Sequence, residues 1–311
     1  MSGVQYIEVD SDIIEQRVDN FLISKFSGLP RSLIYRWIRK GELRVNKKRV
    51  KQTDRVTSGD IIRVPPFILE TDESIVKIPS QHLDFLENRI LYETDDYIVV
   101  DKPSGMAVHG GSGVNSGLVE RLRQLRPKVK RLDLVHRLDK ETSGCIILAK
   151  KHSSVVYFFD LFKQRKVDKI YFAVVHGLWD KNIKKIELPL KRTLSKSGER
   201  IVKVDCVDGK KAITNILNVT YIGKNFSLLE IKLETGRTHQ IRVHCQMSGH
   251  PIVFDKKYGD SEKDRSLNGL KIDKLMLHAY SLEFFDSKKN EEVKVKADLD
   301  SRIKRILDLK D

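Results

Sequence analysis

The run from Leu134 to Lys150, Leu-Val-His-Arg-Leu-Asp-Lys-Glu-Thr-Ser-Gly-Cys-Ile-Ile-Leu-Ala-Lys, constrains this chain more than any other stretch. Cys145 to Ala149 is apolar without alternation, the pattern of a short strand covered on both faces. Ahead of it lies a polar hairpin of mixed charge, broken at Gly144. Polar residues framed by buried strand predict a site at the strand's mouth. Within the loop Asp139 stands near Arg137 and Lys140, cations that favour an ionised carboxylate open to a ligand. Read by itself, an aspartate so placed is more often a turn former bonded to its own backbone.

His136, Arg137, Leu138, Asp139, Thr142, Ser143 and Gly144 match His-Arg-Leu-Asp-x-x-Thr-Ser-Gly without a gap. That is the signature of the pseudouridine synthase family that modifies large-subunit ribosomal RNA, and the chain resembles it in further blocks. These are Ile90 to Gly105, Lys169-Ile-Tyr-Phe-Ala-Val-Val-His-Gly177 and Leu233-Glu-Thr-Gly-Arg-Thr-His-Gln-Ile-Arg-Val-His244, so the likeness runs nearly end to end. The resemblance implies an isomerase that needs no cofactor, acts on 23S ribosomal RNA or its precursor, and works in the cytoplasm as a monomer. It assigns Asp139 the essential aspartate, in a covalent or a deprotonating role, and Tyr171 the active-site tyrosine. Arg242 is implied to pair with Asp139, and Arg137 to fill the stack vacated by a flipped base. His136, Arg237, Gln240 and Ile241 join Arg137 as expected substrate contacts.

The chemistry agrees with these residue types. In turning uridine into pseudouridine the base leaves the ribose through its ring nitrogen, rotates while held, and reattaches through ring carbon 5. A carboxylate at the sugar or base and a pocket for the detached uracil are the needs. A phenol can stack on the uracil face and assist proton movements. No electrons or phosphate change hands, and the chain carries neither a dinucleotide fingerprint nor a phosphate loop. His109-Gly-Gly-Ser-Gly113 fits neither a nucleophile elbow nor a phosphate loop, and reads as a flexible loop entering a helix from Ser116 to Leu125.

The formal charge of +15 favours a polyanionic partner. No apolar run approaches the roughly 20 residues of a membrane span, and residues 1–12 lack a signal peptide's regions. Cys145, Cys206 and Cys245 are too widely spaced for a zinc cluster or disulfide framework, and buried, reduced thiols are expected.

The organisation read from the sequence is α+β: a small RNA-binding domain over residues 13–65, a linker over 66–88, and a catalytic domain over 89–311 with a large mixed, mainly antiparallel sheet flanked by helices. Helical spacing recurs over 13–26 and 32–40, followed by short strands at 43–45 and 61–64. Gly41-Glu-Leu-Arg-Val-Asn46 and Ser58-Gly-Asp60 resemble the RNA-binding fold named after the fourth small-subunit ribosomal protein. Between Arg31 and Arg55 stand ten Lys or Arg against Glu42 and Asp54. Among them Arg31, Arg36, Arg39, Lys40, Arg44, Lys47, Lys48 and Arg49 are candidates for phosphate contact. Residues 154–165 predict an amphipathic helix whose Val155, Val156, Phe158, Phe159 and Phe162 face a core. Strands are expected at 170–175, 202–205, 212–220, 226–233, 240–245 and 275–282, with Lys191 to Arg200 a basic loop. On the strand at 240–245, Gln240, Arg242 and His244 share one face, and His239 lies opposite His244, which argues against a shared metal. Two rivals remain: a non-catalytic ribosome-assembly or RNA-binding protein that keeps the fold, and a hydrolase built on Asp139 and His136.

Overall fold

The structure, a computed structural model, describes residues 3–9, 15–26, 29, 31–67, 80–110, 116–195, 198–267, 269 and 272–308. Two compact units result, one built on residues 1–78 together with 151–156 and the other on residues 79–150 and 157–311.

In the first unit β1 (Gln5–Glu8), β2 (Gln16–Arg17), α1 (Val18–Lys25), α2 (Arg31–Lys40), β3 (Arg44–Val45), β4 (Lys48–Arg49), β5 (Arg55–Val56) and β6 (Ile61–Val64) follow in order. The larger sheet runs β1-β6-β3-β4, and β2 pairs with β5. Val18, Phe21 and Leu22 of α1 meet Ile34 and Trp37 of α2, and the core closes on Leu43, Val56 and Ile62. Asn46 and Lys47 both take positive φ, the tight reversal that suits a two-residue hairpin between β3 and β4. Arg36, Arg39, Lys40, Arg44, Lys47, Lys48 and Arg49 are all exposed, and Arg31 opens α2. The helix expected from residue 13 begins at Val18, while Ile14 lies outside the described residues.

The second unit opens with α3 (Ser80–Glu87), β7 (Ile90–Glu93), β8 (Tyr97–Lys102), α4 (Leu118–Leu125), β9 (Asp133–Leu134), β10 (Ser143–Ala149) and α5 (His152–Lys163). It continues through β11 (Val167–His176), β12 (Lys185–Glu187), β13 (Leu190–Leu194), β14 (Arg200–Val204), β15 (Ile213–Ile222), β16 (Phe226–Leu233), α6 (Gln240–Met247), α7 (Ser261–Arg265), β17 (Leu277–Asp286), β18 (Glu291–Lys296) and α8 (Ser301–Leu307). Among the described residues a ten-stranded sheet runs β12-β15-β16-β11-β17-β10-β8-β7, with β18 added to β17 and β9 to β10. Its pairings are antiparallel except β10 with β17, a short parallel contact of Ser143 with His278 and Gly144 with Ala279. All seven residues of β10 are buried, the apolar run Cys145–Ala149 as its pattern requires. Ile98, Ile146, Leu148, Val174, Leu229 and Ile231 of the sheet, Leu118 and Leu122 of α4, and Ile241 and Cys245 of α6 share one core.

Several expectations are corrected. The linker over 66–88 is not all linker: residues 80–87 form α3, and Leu86 is buried in the core of the second unit, because an apolar side chain there finds a sheet to cover. The basic loop at Lys191–Arg200 is largely the hairpin β13–β14. Gln240–Cys245 is not a strand but the body of α6, so Gln240, Arg242 and His244 share no strand face. In α5 Phe158 is buried edge-on to Tyr97 and Phe284, but Val156 and Phe159 are exposed, because only one side of a helix meets the core. Cys145 and Cys245 are buried free thiols, whereas Cys206 is exposed. Residues 111–115 of the glycine-rich loop lie outside the described residues. Among the described residues, no helix is long and apolar enough to cross a membrane.

Candidate active site

The site forms where β10 begins. The loop before it is pinned from two directions, by its own turn and by the loop that follows β8. Thr142 N–H closes a turn onto the Asp139 carbonyl at 3.2 Å, Gly105 N–H donates to the Lys140 carbonyl at 2.9 Å, and the Ser104 hydroxyl donates to the Glu141 carbonyl at 2.6 Å. Lys102, at the end of β8 and fully buried, donates to the carbonyls of Pro103, Met106 and Lys140 at 3.1, 3.0 and 2.9 Å. Burial pulls its pKa down to about 7, while the charges of Glu141 and Asp139 oppose that shift. With three carbonyls to satisfy, the ammonium form ties the two loops together. In the sequence Lys102 carries little signal beyond being a lysine that closes a largely apolar stretch.

Three residues distant in the sequence line one small space of about 60 Å³: Asp139, Tyr171 and Arg242, with Arg137, His239 and Ile241 around them. Tyr171 reaches it from β11 at a register shift between Ile170 and Tyr171, a bulge that re-aims the side chain. Burial, then the charge of Asp139, raises the Tyr171 pKa, so the phenol keeps its proton and serves as a donor rather than a base.

Arg242 projects from the first turn of α6. Its Nη1 donates to Oδ2 of Asp139 at 3.2 Å, as the sequence reading expected. Its stronger partner is one the sequence reading did not name. Nε and Nη2 make a two-pronged pair with Asp255 at 2.8 and 2.7 Å. The Asp255 carboxylate is wholly buried and also accepts the N–H groups of Lys257 and Tyr258. Burial opposes the charge on Asp255, but the Arg242 bonds and these amides hold its pKa below the ordinary value. One guanidinium thus serves two carboxylates, and the trio carries a net negative charge. Asp139 is therefore held in place without being fully neutralised. The Tyr258 ring lies 5.0 Å from the Arg242 guanidinium carbon and completes its cage.

The small space adjoins a groove of about 1030 Å³ that Asp139 also lines, with Arg137, Phe159, Thr238 and Lys274. Arg137 is exposed there. Phe159, read from the sequence as core, is 52% exposed in the same groove. The remaining candidates divide. Ile241 is buried at the small space. Arg237 is exposed at its rim, with Nε donated to the Lys211 carbonyl. Gln240 is spent on structure: its amide oxygen accepts from the Thr235 hydroxyl and Arg237 N–H, and its nitrogen donates to the Ile213 carbonyl and Thr214 hydroxyl. His136 is likewise occupied, its Nε2 accepting Ile147 N–H at 2.9 Å beside the Phe162 ring. Burial lowers its pKa to about 3, leaving a neutral ring that fastens the loop to β10. Both side chains are thus engaged in building the site, and at the same time His136 lines the groove and Gln240 the small space. His244 is also buried and spent, between the Thr214 hydroxyl and the Leu188 carbonyl.

Comparison with known proteins gives a consistent result. Residues 96–247 match the RNA pseudouridylate synthase family and residues 16–62 match the S4 domain. Ribosomal large subunit pseudouridine synthase C of Haemophilus influenzae is 44% identical over 308 residues, 98% of this chain and 95% of the relative. The protein of the same name from Escherichia coli (strain K12) is 43% identical over 308 residues, 98% of this chain and 96% of the relative. Among solved structures, Human RNA Pseudouridylate Synthase Domain Containing 4 superposes with a TM-score of 0.58 at 25% identity, covering 74% of this chain and 95% of that one. Human RNA Pseudouridylate Synthase Domain Containing 1 gives 0.55 at 27% identity, covering 68% and 86%.

Proposed function

The chain belongs to the RNA pseudouridylate synthase family, with an S4 domain ahead of the synthase domain, and we propose that it isomerises one or more uridines of 23S ribosomal RNA or its precursor to pseudouridine. The single observation that carries the assignment of residues is the convergence of Asp139, Tyr171 and Arg242 on one partly buried space beside a long groove.

In this reading Asp139 is the reacting carboxylate, at the sugar or the base, and Arg242 sets its rotamer. Tyr171 holds the uracil face while its hydroxyl donates a hydrogen bond. Arg137, free in the groove, fills the gap left when the target uridine is turned out of its stack, a step that costs a few kcal/mol. The exposed cations of α2 and the β3–β4 hairpin take phosphates of the surrounding RNA. The enzyme works as a monomer in the cytoplasm, where ribosomal RNA is assembled. A purely RNA-binding protein would have no use for a net negative trio inside a basic molecule, and the arrangement favours catalysis for that reason.

Release of tritium from RNA labelled at uridine carbon 5 tests the assignment. Asp139→Asn is expected to abolish release while RNA affinity stays within several-fold of wild type, since one carboxylate carries the chemistry and many cations carry the binding. Substantial turnover by Asp139→Asn would remove Asp139 from its role.

A further inference from the structure

His239 precedes α6 with φ at +53°, the left-handed region that a residue with a side chain occupies only under constraint. Its ring is held from behind. Nδ1 lies 2.7 Å from the Tyr258 hydroxyl, and that oxygen already accepts Val202 N–H at 2.8 Å. The hydroxyl hydrogen is then the one donated to Nδ1, which assigns the imidazole proton to Nε2. Nε2 faces Oδ2 of Asp139 at 3.7 Å, the same oxygen that takes Arg242 at 3.2 Å. No described residue hydrogen-bonds to Oδ1.

The asymmetry has a physical consequence. The terminal torsion of an aspartate is broad and two-fold, so one contact leaves its two oxygens free to exchange. Two donors converging on one oxygen from different directions remove that freedom. The groups facing His239 are Asp139, Arg242, Lys257, Asp255 and Tyr258, and burial keeps the ring neutral among them. It therefore turns an N–H toward Oδ2 at 3.7 Å without adding a charge that would quench Asp139.

We propose that His239 is a positioning residue for pseudouridine formation: fixed as its Nε2–H tautomer by Tyr258, it clamps Oδ2 of Asp139 together with Arg242 and leaves Oδ1 to face the ribose. The separation of 3.7 Å closes to a hydrogen bond when the substrate is seated. The proposal rests on Asp139 being the reacting carboxylate. His239 transfers no proton in it.

The test measures single-turnover rate at saturating enzyme, RNA affinity and thermal melting on the full chain. The variants are His239→Ala, His239→Gln, Tyr258→Phe and the double variant His239→Ala/Tyr258→Phe, with Asp139→Asn as reference. His239→Ala is expected to slow the chemical step roughly 10- to 100-fold, the usual penalty for a misplaced reacting group, with affinity unchanged. His239→Gln supplies an N–H to the same oxygen and should recover much of the rate. Tyr258→Phe should slow the step less and add nothing to His239→Ala, because it acts through the ring. A near-normal rate for His239→Ala, a Gln variant no better than Ala, or additive losses in the double variant would overturn the proposal. If His239→Ala does not fold, His239→Gln and Tyr258→Phe decide it, a wild-type rate for Tyr258→Phe counting against it. Turnover by Asp139→Asn would remove the underlying reading as well, whatever the His239 variants do.

Discussion

At the scale of single residues, the parts of the site that announce themselves are those that sit in an unusual local pattern. Asp139 and Arg137 lie in a polar loop shortly before the unbroken apolar run Cys145–Ala149, and that contrast is legible without coordinates. Asp255 is not: Phe254-Asp255-Lys256-Lys257-Tyr258 is an aperiodic loop, and nothing in it signals a carboxylate wholly buried against Arg242. The omission alters what removing Arg242 should do. Arg242→Met strands two carboxylates, of which Asp255 has no water to fall back on and Asp139 remains partly exposed. Breaking a buried pair in this way costs about 3–5 kcal/mol, so the variant should lose stability as well as rate. Arg242→Met combined with Asp255→Leu should regain most of the stability and none of the rate. Urea denaturation beside single-turnover kinetics separates the two effects, and a stable Arg242→Met single variant would show that Asp255 tolerates burial alone. Arg242→Lys should rescue only partly, since a point charge cannot form the two-pronged pair.

At the scale of elements, the strands at 61–64 and 226–233 were legible to the residue, and β10 and β11 nearly so, because alternating or continuous apolar runs of that length have few other readings. Gln240 to Cys245 misleads for a definite reason. Gln-Ile-Arg-Val-His-Cys alternates polar with apolar, yet all six residues are buried, the polar ones through specific bonds to β12's flank, β15 and the loop at Asp255. Periodicity reports burial only where polarity and exposure coincide, and here they do not. Gly144 marks the opposite case, a residue whose local reason is visible only in the fold. Its φ is +105°, and a Cβ there would lie 2.1 Å from the Ala279 carbonyl oxygen on the parallel neighbour β17. Gly144→Ala must push β10 from β17 just after the Asp139 loop, combining backbone strain with a broken sheet contact. We expect a loss of at least ~2 kcal/mol with a disproportionate fall in rate, read from denaturant midpoints and tritium release. Normal stability would mean that the two strands can part there without cost.

At the scale of the whole molecule, the two-unit organisation was legible because composition changes where the chain does, from a cation-rich block with Pro65-Pro66 at its end to an acidic stretch. The second unit begins earlier than residue 89, at Pro79, a start hidden in the sequence because α3 is short and Leu86, the one buried side chain among those described in it, carries no periodic signal. A truncation should therefore begin at Pro79 and not at residue 89. The shorter chain would lose Leu86 from the core, at a cost of about 2–5 kcal/mol for a buried leucine, and would confuse instability with lost binding. The chain beginning at Pro79 is expected to fold, to retain the chemical step once saturated, and to bind RNA more weakly with a shallower dependence on salt. Each phosphate contact made by a lysine or arginine contributes about 0.7–0.9 to the slope of log affinity against log salt. The first unit exposes Arg36, Arg39, Lys40, Arg44, Lys47, Lys48 and Arg49, so engagement of even half of them should flatten the slope by about two to three units. Replacing Arg36, Arg39 and Lys40 by glutamine in the full chain should reproduce part of that change without removing the unit. An unchanged slope in both proteins would mean that RNA is held by the second unit alone, and that the positive surface of the first meets a different polyanion.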